Sequence, residues 1–108
     1  MKKSEVWFID LTDGKGHEQK GERPAIVVGK ANKMIQVIPL TSNPNRAMLP
    51  FTVLIEQKPG NGLSCDSIAL IFQITSLDET RFIRKIGEIE EKQQDLMDLE
   101  IKNMLKIK

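Results

Sequence analysis

Between Val6 and Ile74 the chain alternates short runs rich in Val, Ile, Leu and Phe with clusters of Gly, Pro, Asn, Asp and Ser. Runs of that length make strands but are too short for stable helices, so the chain must fold mainly as a sheet with tight connections. Residues 6–11, 24–28, 34–40, 51–55 and 67–74 are the five expected strands. Pro39 cannot donate to a ladder, which marks an edge or a bulge in the third. From about Glu90 the period changes: Met97, Ile101, Met104 and Leu105 recur at helical spacing, with Leu96 beside them. The early turns are acidic and Lys102, Lys106 and Lys108 come last, in agreement with the helix dipole. The expected fold class is mostly β with a C-terminal helix (α+β): a small, strongly curved, antiparallel barrel with the helix against it, in one domain over residues 1–108.

A chain of 108 residues, 40% hydrophobic, suffices for a single core and no more. No apolar run approaches the roughly 18 residues of a membrane span, and the opening Met1-Lys2-Lys3-Ser4-Glu5 leads directly into strand-like sequence. A cytoplasmic protein without a membrane role is expected. One cysteine, Cys65, and one histidine, His17, cannot supply an intramolecular disulfide or a structural zinc site, and neither a metal nor a cofactor is expected. With 16 Lys+Arg against 15 Asp+Glu the chain is not a strongly basic nucleic-acid clamp. Residues 1–50 nonetheless carry a net +3 and residues 51–108 a net −2, so a local patch in the first half could hold a phosphate chain. Residues 13–22 contain three glycines and no apolar side chain, which puts them on the surface.

Several motifs fail. Gly16 and Gly21 have P-loop spacing, but Glu22-Arg23 follows where Lys and Ser or Thr are required. Gly14-Lys15-Gly16 lacks the third glycine of a dinucleotide fingerprint. His17, Ser42 and Asp10 have no nucleophile elbow around the serine, and Cys65 reads as a small apolar filler.

The order of the whole first half is more specific: Glu5-Val6-Trp7, Gly16-His17-Glu18-Gln19, Gly21-Glu22-Arg23-Pro24, Val27-Val28, Pro39-Leu40-Thr41-Ser42 and Pro50-Phe51. Over residues 5–76, and more loosely to the C terminus, the sequence resembles the MazF/PemK family of toxin endoribonucleases. That resemblance implies an SH3-like barrel with added helices, a homodimer, metal-independent cleavage of single-stranded RNA, and an antitoxin partner. It also implies that Arg23 and Thr41 are the main catalytic residues, that Glu18 is the family's acid, and that His17 stands where some relatives carry a functional histidine. Gln19, Lys20, Ser42 and Gln73 are the implied substrate-binding positions. The segment from Ile71 to Ser76 departs from the family pattern, with Phe72 in place of an acid and Thr75 in place of an arginine.

These residue types suit the reaction. Attack by the ribose 2′-hydroxyl requires its deprotonation, stabilisation of a crowded phosphorane, and departure of the 5′-oxygen. Arg23 offers a planar fork of donors that stays charged, and Pro24 favours an extended backbone before it. Thr41 is a stiff β-branched side chain that can aim a hydroxyl at a phosphate oxygen. Glu18 could orient the guanidinium or accept the proton, and His17 is of the residue type whose unperturbed pKa, about 6.5, suits a base. Plainer readings remain: an ion pair for Arg23 with Glu22 or Glu18, a turn cap for Thr41 and Ser42, a solvated loop residue for His17, and core or rim packing for Trp7 and Phe8. Two other functions also stay open: a CcdB-like inhibitor that binds a protein target through the same barrel, and a catalytically weakened binding module.

Overall fold

The computed structural model describes residues 1–11 and 21–107. Within them the strands are β1 (Glu5–Asp10), β2 (Glu22–Ala31), β3 (Met34–Thr41), β4 (Thr52–Ile55), β5 (Ser67–Leu70), β6 (Thr75–Asp78) and β7 (Phe82–Glu88), followed by helix α1 (Glu91–Leu105). Single 3-10 turns occupy Pro44–Met48, Ile71–Gln73 and Glu79–Arg81.

All the pairings are antiparallel, in the order β4-β5-β3-β2-β1-β7, with β6 pairing β3 off that path. Among the described residues the ladder runs from β4 to β7 without closing, and the mostly antiparallel, strongly bent sheet with a C-terminal helix is the fold class expected from the sequence. Strands β2 and β3 meet through Asn32 and Lys33, whose φ angles of 52° and 67° are those of a two-residue hairpin turn that matches strand twist. Register shifts between Val27 and Gly29, and at two places along β1 against β7, bend the central strands.

Both faces of the sheet are covered, which explains why its central strands read as continuous apolar runs. Val6, Ile26, Ile38 and Leu40 face one core with Ile55, Ile71 and Met97. Ile9, Ala25, Val27, Ile35 and Val37 face the other, edged by Trp7, Leu77 and Phe82. Helix α1 lies on the first core. Met97 is fully buried, and Ile101 and Met104 are partly buried against the same cluster. Leu96 and Leu105, expected in that stripe, are instead exposed, and Gln94 takes the buried place. Its Oε1 accepts a hydrogen bond from Ser4 Oγ at 2.9 Å, while its Nε2 donates to Asp98 at 2.9 Å, tying the helix to the N-terminal segment.

Three further expectations change. The strand expected over 67–74 ends at Leu70, because the chain turns through Ile71–Gln73 after β5 and re-enters the sheet only at Thr75, as β6. Residues 75–88, not assigned from sequence, add β6 and β7, whose faces are largely exposed and so lack an apolar run. Pro39 is not at the sheet's edge: β3 pairs β6 through residues 34–37 and β5 through residues 40–41. The proline falls in the step between those two partners, where that flank of β3 has no ladder pair to lose.

Candidate active site

A cleft of about 490 Å³ opens where β1, β2, β3 and β7 meet the segment between β4 and β5. Its floor follows from strand register. Phe8 of β1 pairs with Arg84 of β7 on one side and Pro24 of β2 on the other, so these three stand in one row, and all three line the cleft with Leu40. Arg23, next to Pro24 and opposite Ile9, is half-buried and lines the same space. Thr41 reaches it from the last position of β3, where it pairs with Ile68 of β5. Arginine and threonine thus come from neighbouring strands, not from one loop.

Thr41 is only 6% exposed, and its Oγ1 accepts a hydrogen bond from the Asn43 N–H at 3.3 Å. Asn43 in turn accepts from the Asn45 N–H at 3.1 Å, capping the 3-10 turn that opens with Pro44. The turn-capping reading of Thr41 therefore describes a contact that is present. A hydroxyl that accepts one bond keeps its proton and a second lone pair, so the cap fixes Thr41 without consuming its donor. Ser42, exposed, follows on the rim.

The opposite rim, from Gly62 to Cys65, is held by Asn61. This buried side chain accepts from the Leu63 N–H at 3.1 Å and donates to the Glu56 carbonyl at 2.9 Å. Gly62 has φ +75°, and a Cβ there would overlap the Ile86 carbonyl oxygen. Gly87 is crowded in the same way by the backbone of Gly60 and Asn61, and the Glu88 N–H donates to the Gly60 carbonyl at 2.8 Å. Two glycines thus let the rim lie directly on β7.

Of the residues expected to form a site, Arg23, Thr41 and Ser42 are brought together. Gln73 sits in the 3-10 turn after β5 and is not among the residues lining the cleft. His17, Glu18, Gln19 and Lys20 lie outside the described residues. Arg84, Phe8, Glu22 and Cys65 line the cleft without having been singled out as site residues. Reading residues 84–86 as part of a strand would have found Arg84, since Arg84 and Ile86 share the cleft face, while Phe82, beyond the register shift against β1, packs on the other core. The Arg84 guanidinium lies 5.0 Å from the centre of the Phe8 ring, a cation–π contact. The described lining therefore carries two guanidinium groups, Arg23 and Arg84, against one carboxylate, Glu22. Among the described residues no group of three or more His, Cys, Asp or Glu could hold a metal ion. No described helix is long and apolar enough to cross a membrane.

On the far flank of β1, Trp7 packs half-buried and edge-on against Phe82, with ring centroids 5.9 Å apart. Its indole N–H donates to Glu5 Oε1 at 2.9 Å. Burial of the Glu5 carboxyl works against its ionisation. The donors Trp7, the Lys2 N–H and Lys85, with the Lys85 charge, outweigh this and hold its pKa at about 2.

The mostly antiparallel sheet with a single C-terminal helix is the fold of the MazF toxins. The crystal structure of MazF from Deinococcus radiodurans superposes with a TM-score of 0.83 at 23% identity, covering 99% of this chain and 97% of that one. An endoribonuclease in complex with its cognate antitoxin, from a mycobacterial species, superposes with a TM-score of 0.76 at 16% identity, covering 100% and 97%. In sequence, Endoribonuclease MazF9 of Mycobacterium tuberculosis is 35% identical over 99 residues, 82% of each chain. The family model described as PemK-like, MazF-like toxin of type II toxin–antitoxin systems matches residues 2–105. The chain belongs to that family.

Proposed function

We propose that this protein is an endoribonuclease toxin that cleaves single-stranded RNA, messenger RNA in the cytoplasm, without a metal or cofactor, and that a cognate antitoxin neutralises it. The reading is carried by Arg23 and Thr41 meeting at one cleft from adjacent strands in a chain of this family. Arg23 presents two parallel N–H donors to the non-bridging oxygens of the scissile phosphate, and these strengthen as the phosphorane gathers charge. Thr41, held by its bond to Asn43, donates its hydroxyl proton to the same phosphoryl group. The substrate's 2′-oxygen attacks phosphorus and the bond to the 5′-oxygen breaks, the departing oxygen taking a proton from solvent water, which gives a 2′,3′-cyclic phosphate and a 5′-hydroxyl. Glu18 or His17 accepts the 2′-hydroxyl proton, while Gln19, Lys20 and Ser42 contact the strand. Gln73 reaches substrate only if the strand extends beyond the cleft.

The working unit of this proposal is a homodimer with RNA in a groove shared between subunits. Exposed Met48, Leu49, Phe51 and Leu54 beside the cleft-forming strands support an apolar interface. The antitoxin would place an acidic and apolar segment on the RNA groove and compete with it. The paired guanidinium groups favour a phosphate-bearing ligand over the protein target of a CcdB-like inhibitor. The test is incubation of the purified protein with mixed-sequence RNA in excess EDTA, beside the Arg23→Lys variant. Cleavage by the wild type and a rate at least about tenfold lower in the variant support the reading, since the lysine keeps charge but loses the fork. Equal rates in two folded proteins reject it.

A further inference from the structure

Arg84 enters the cleft from β7, the last strand of the sheet, and is separate from the Arg23–Thr41 pair that carries the proposed chemistry. Its backbone is fixed by pairing with Phe8, and its guanidinium is laid over the Phe8 ring at 5.0 Å. Among the described residues it forms no ion pair. The neighbouring Lys85, by contrast, is bound to Glu5 at 3.3 Å and to Glu88 at 2.9 Å. Alternation along β7 thus sends one cation into a structural network on one face and the next into the cleft on the other. An exposed arginine ordinarily loses side-chain entropy when it grips a ligand. Stacking on an aromatic face removes part of that loss beforehand and leaves the edge of the guanidinium, with its N–H donors, open.

We propose that Arg84, pre-positioned by Phe8, is a second phosphate-binding residue that holds the RNA backbone one or more nucleotides away from the phosphate at Arg23. The assignment rests on the endoribonuclease reading for the identity of the ligand, but it concerns binding and not the bond-breaking step. Phe8 is the positioning residue: it acts on the strand through Arg84. A single phosphate grip at Arg23 lets the strand pivot, whereas grips from β2 and β7 on either side of Phe8 set its direction across the floor of the cleft. Glu22 on the same lining disfavours phosphate at its own end, which further restricts where the chain can run.

The probe is a short mixed-sequence 2′-O-methyl RNA, which cannot undergo internal attack, titrated against the full-length protein over a salt series. For single strands each neutralised phosphate contributes a slope of about −0.7 in log K against log salt. Arg84→Gln should bind about tenfold more weakly at low salt, with a slope shallower by about 0.7. Arg84→Lys should keep the wild-type slope while binding more weakly. Phe8→Leu should weaken binding at an unchanged slope, and Phe8→Trp should restore it. A wild-type slope in Arg84→Gln, with its circular dichroism unchanged, overturns the proposal. Parallel incubation with the unmodified RNA separates the two claims: binding that depends on Arg84 without cleavage leaves this contact standing and removes the nuclease reading. Cleavage with no Arg84 dependence does the reverse.

Discussion

Protonation of Glu5 should destabilise the protein in a defined acid window. Its carboxylate is largely buried and accepts hydrogen bonds from the Trp7 indole at 2.9 Å and the Lys2 N–H at 3.1 Å, with Lys85 Nζ 3.3 Å from its other oxygen. Burial opposes the charge, but these partners prevail and lower the pKa from 4.5 to about 2. A carboxyl whose pKa is depressed on folding contributes stability that is fully present above its unfolded value and disappears as pH falls through the folded one. The window is therefore pH 4.5 down to about 2. The shift corresponds to about 3 kcal/mol at neutral pH, an appreciable part of the stability of a small domain. Urea denaturation of wild type and Glu5→Gln at successive pH values isolates the effect, because the other carboxylates cancel in the difference. The difference should be about 3 kcal/mol at pH 7 and shrink toward zero by about pH 2, where the wild-type carboxyl also becomes neutral. A difference that stays constant across that range would refute the assignment of the shift to Glu5.

Met97→Ala empties a fully buried site beneath α1 and should cost about 2–5 kcal/mol, read from the urea midpoint. Gly62→Ala sets a Cβ against the Ile86 carbonyl at a positive φ, so the thermal midpoint should fall by an amount equivalent to about 1–3 kcal/mol or more, whereas Gly60→Ala, which meets nothing within 4 Å, should fall less. Thr41→Val removes the acceptor for the Asn43 N–H, with an expected loss of about 1 kcal/mol in stability and a lower cleavage rate; Thr41→Ser should recover both in part.

What could be read from the sequence, and what could not, follows burial. The runs at β1, β2 and β3 are legible because both faces of these strands are covered and the apolar signal is continuous. β7 is hidden, because Ile83, Arg84 and Lys85 are exposed in succession and its stability comes from pairing along β1 rather than from an apolar face of its own. Arg84 was lost with it, since a strand that is not assigned cannot present an alternate residue to a cleft. Leu96 and Leu105 entered the helical stripe by hydrophobicity alone, whereas the contacts select Met97, Ile101 and Met104, with Gln94 buried through polar partners at both ends. Arg23 and Thr41 could be picked out from motif order. Their approach depends on the pairing of strands that the motif does not encode. His17 and Glu18 remain expectations from sequence, as they lie outside the described residues.

In the proposed reaction the cleft at Arg23 and Thr41 directs the substrate's own 2′-hydroxyl at phosphorus. Single-turnover cleavage of one RNA strand, compared with the same strand carrying a single deoxyribose 5′ to the scissile phosphate, tests it most directly. The unmodified strand should yield a 2′,3′-cyclic phosphate and a 5′-hydroxyl in the presence of EDTA, and the substituted strand should remain intact at that bond. Cleavage of the substituted strand at the same position would contradict the account.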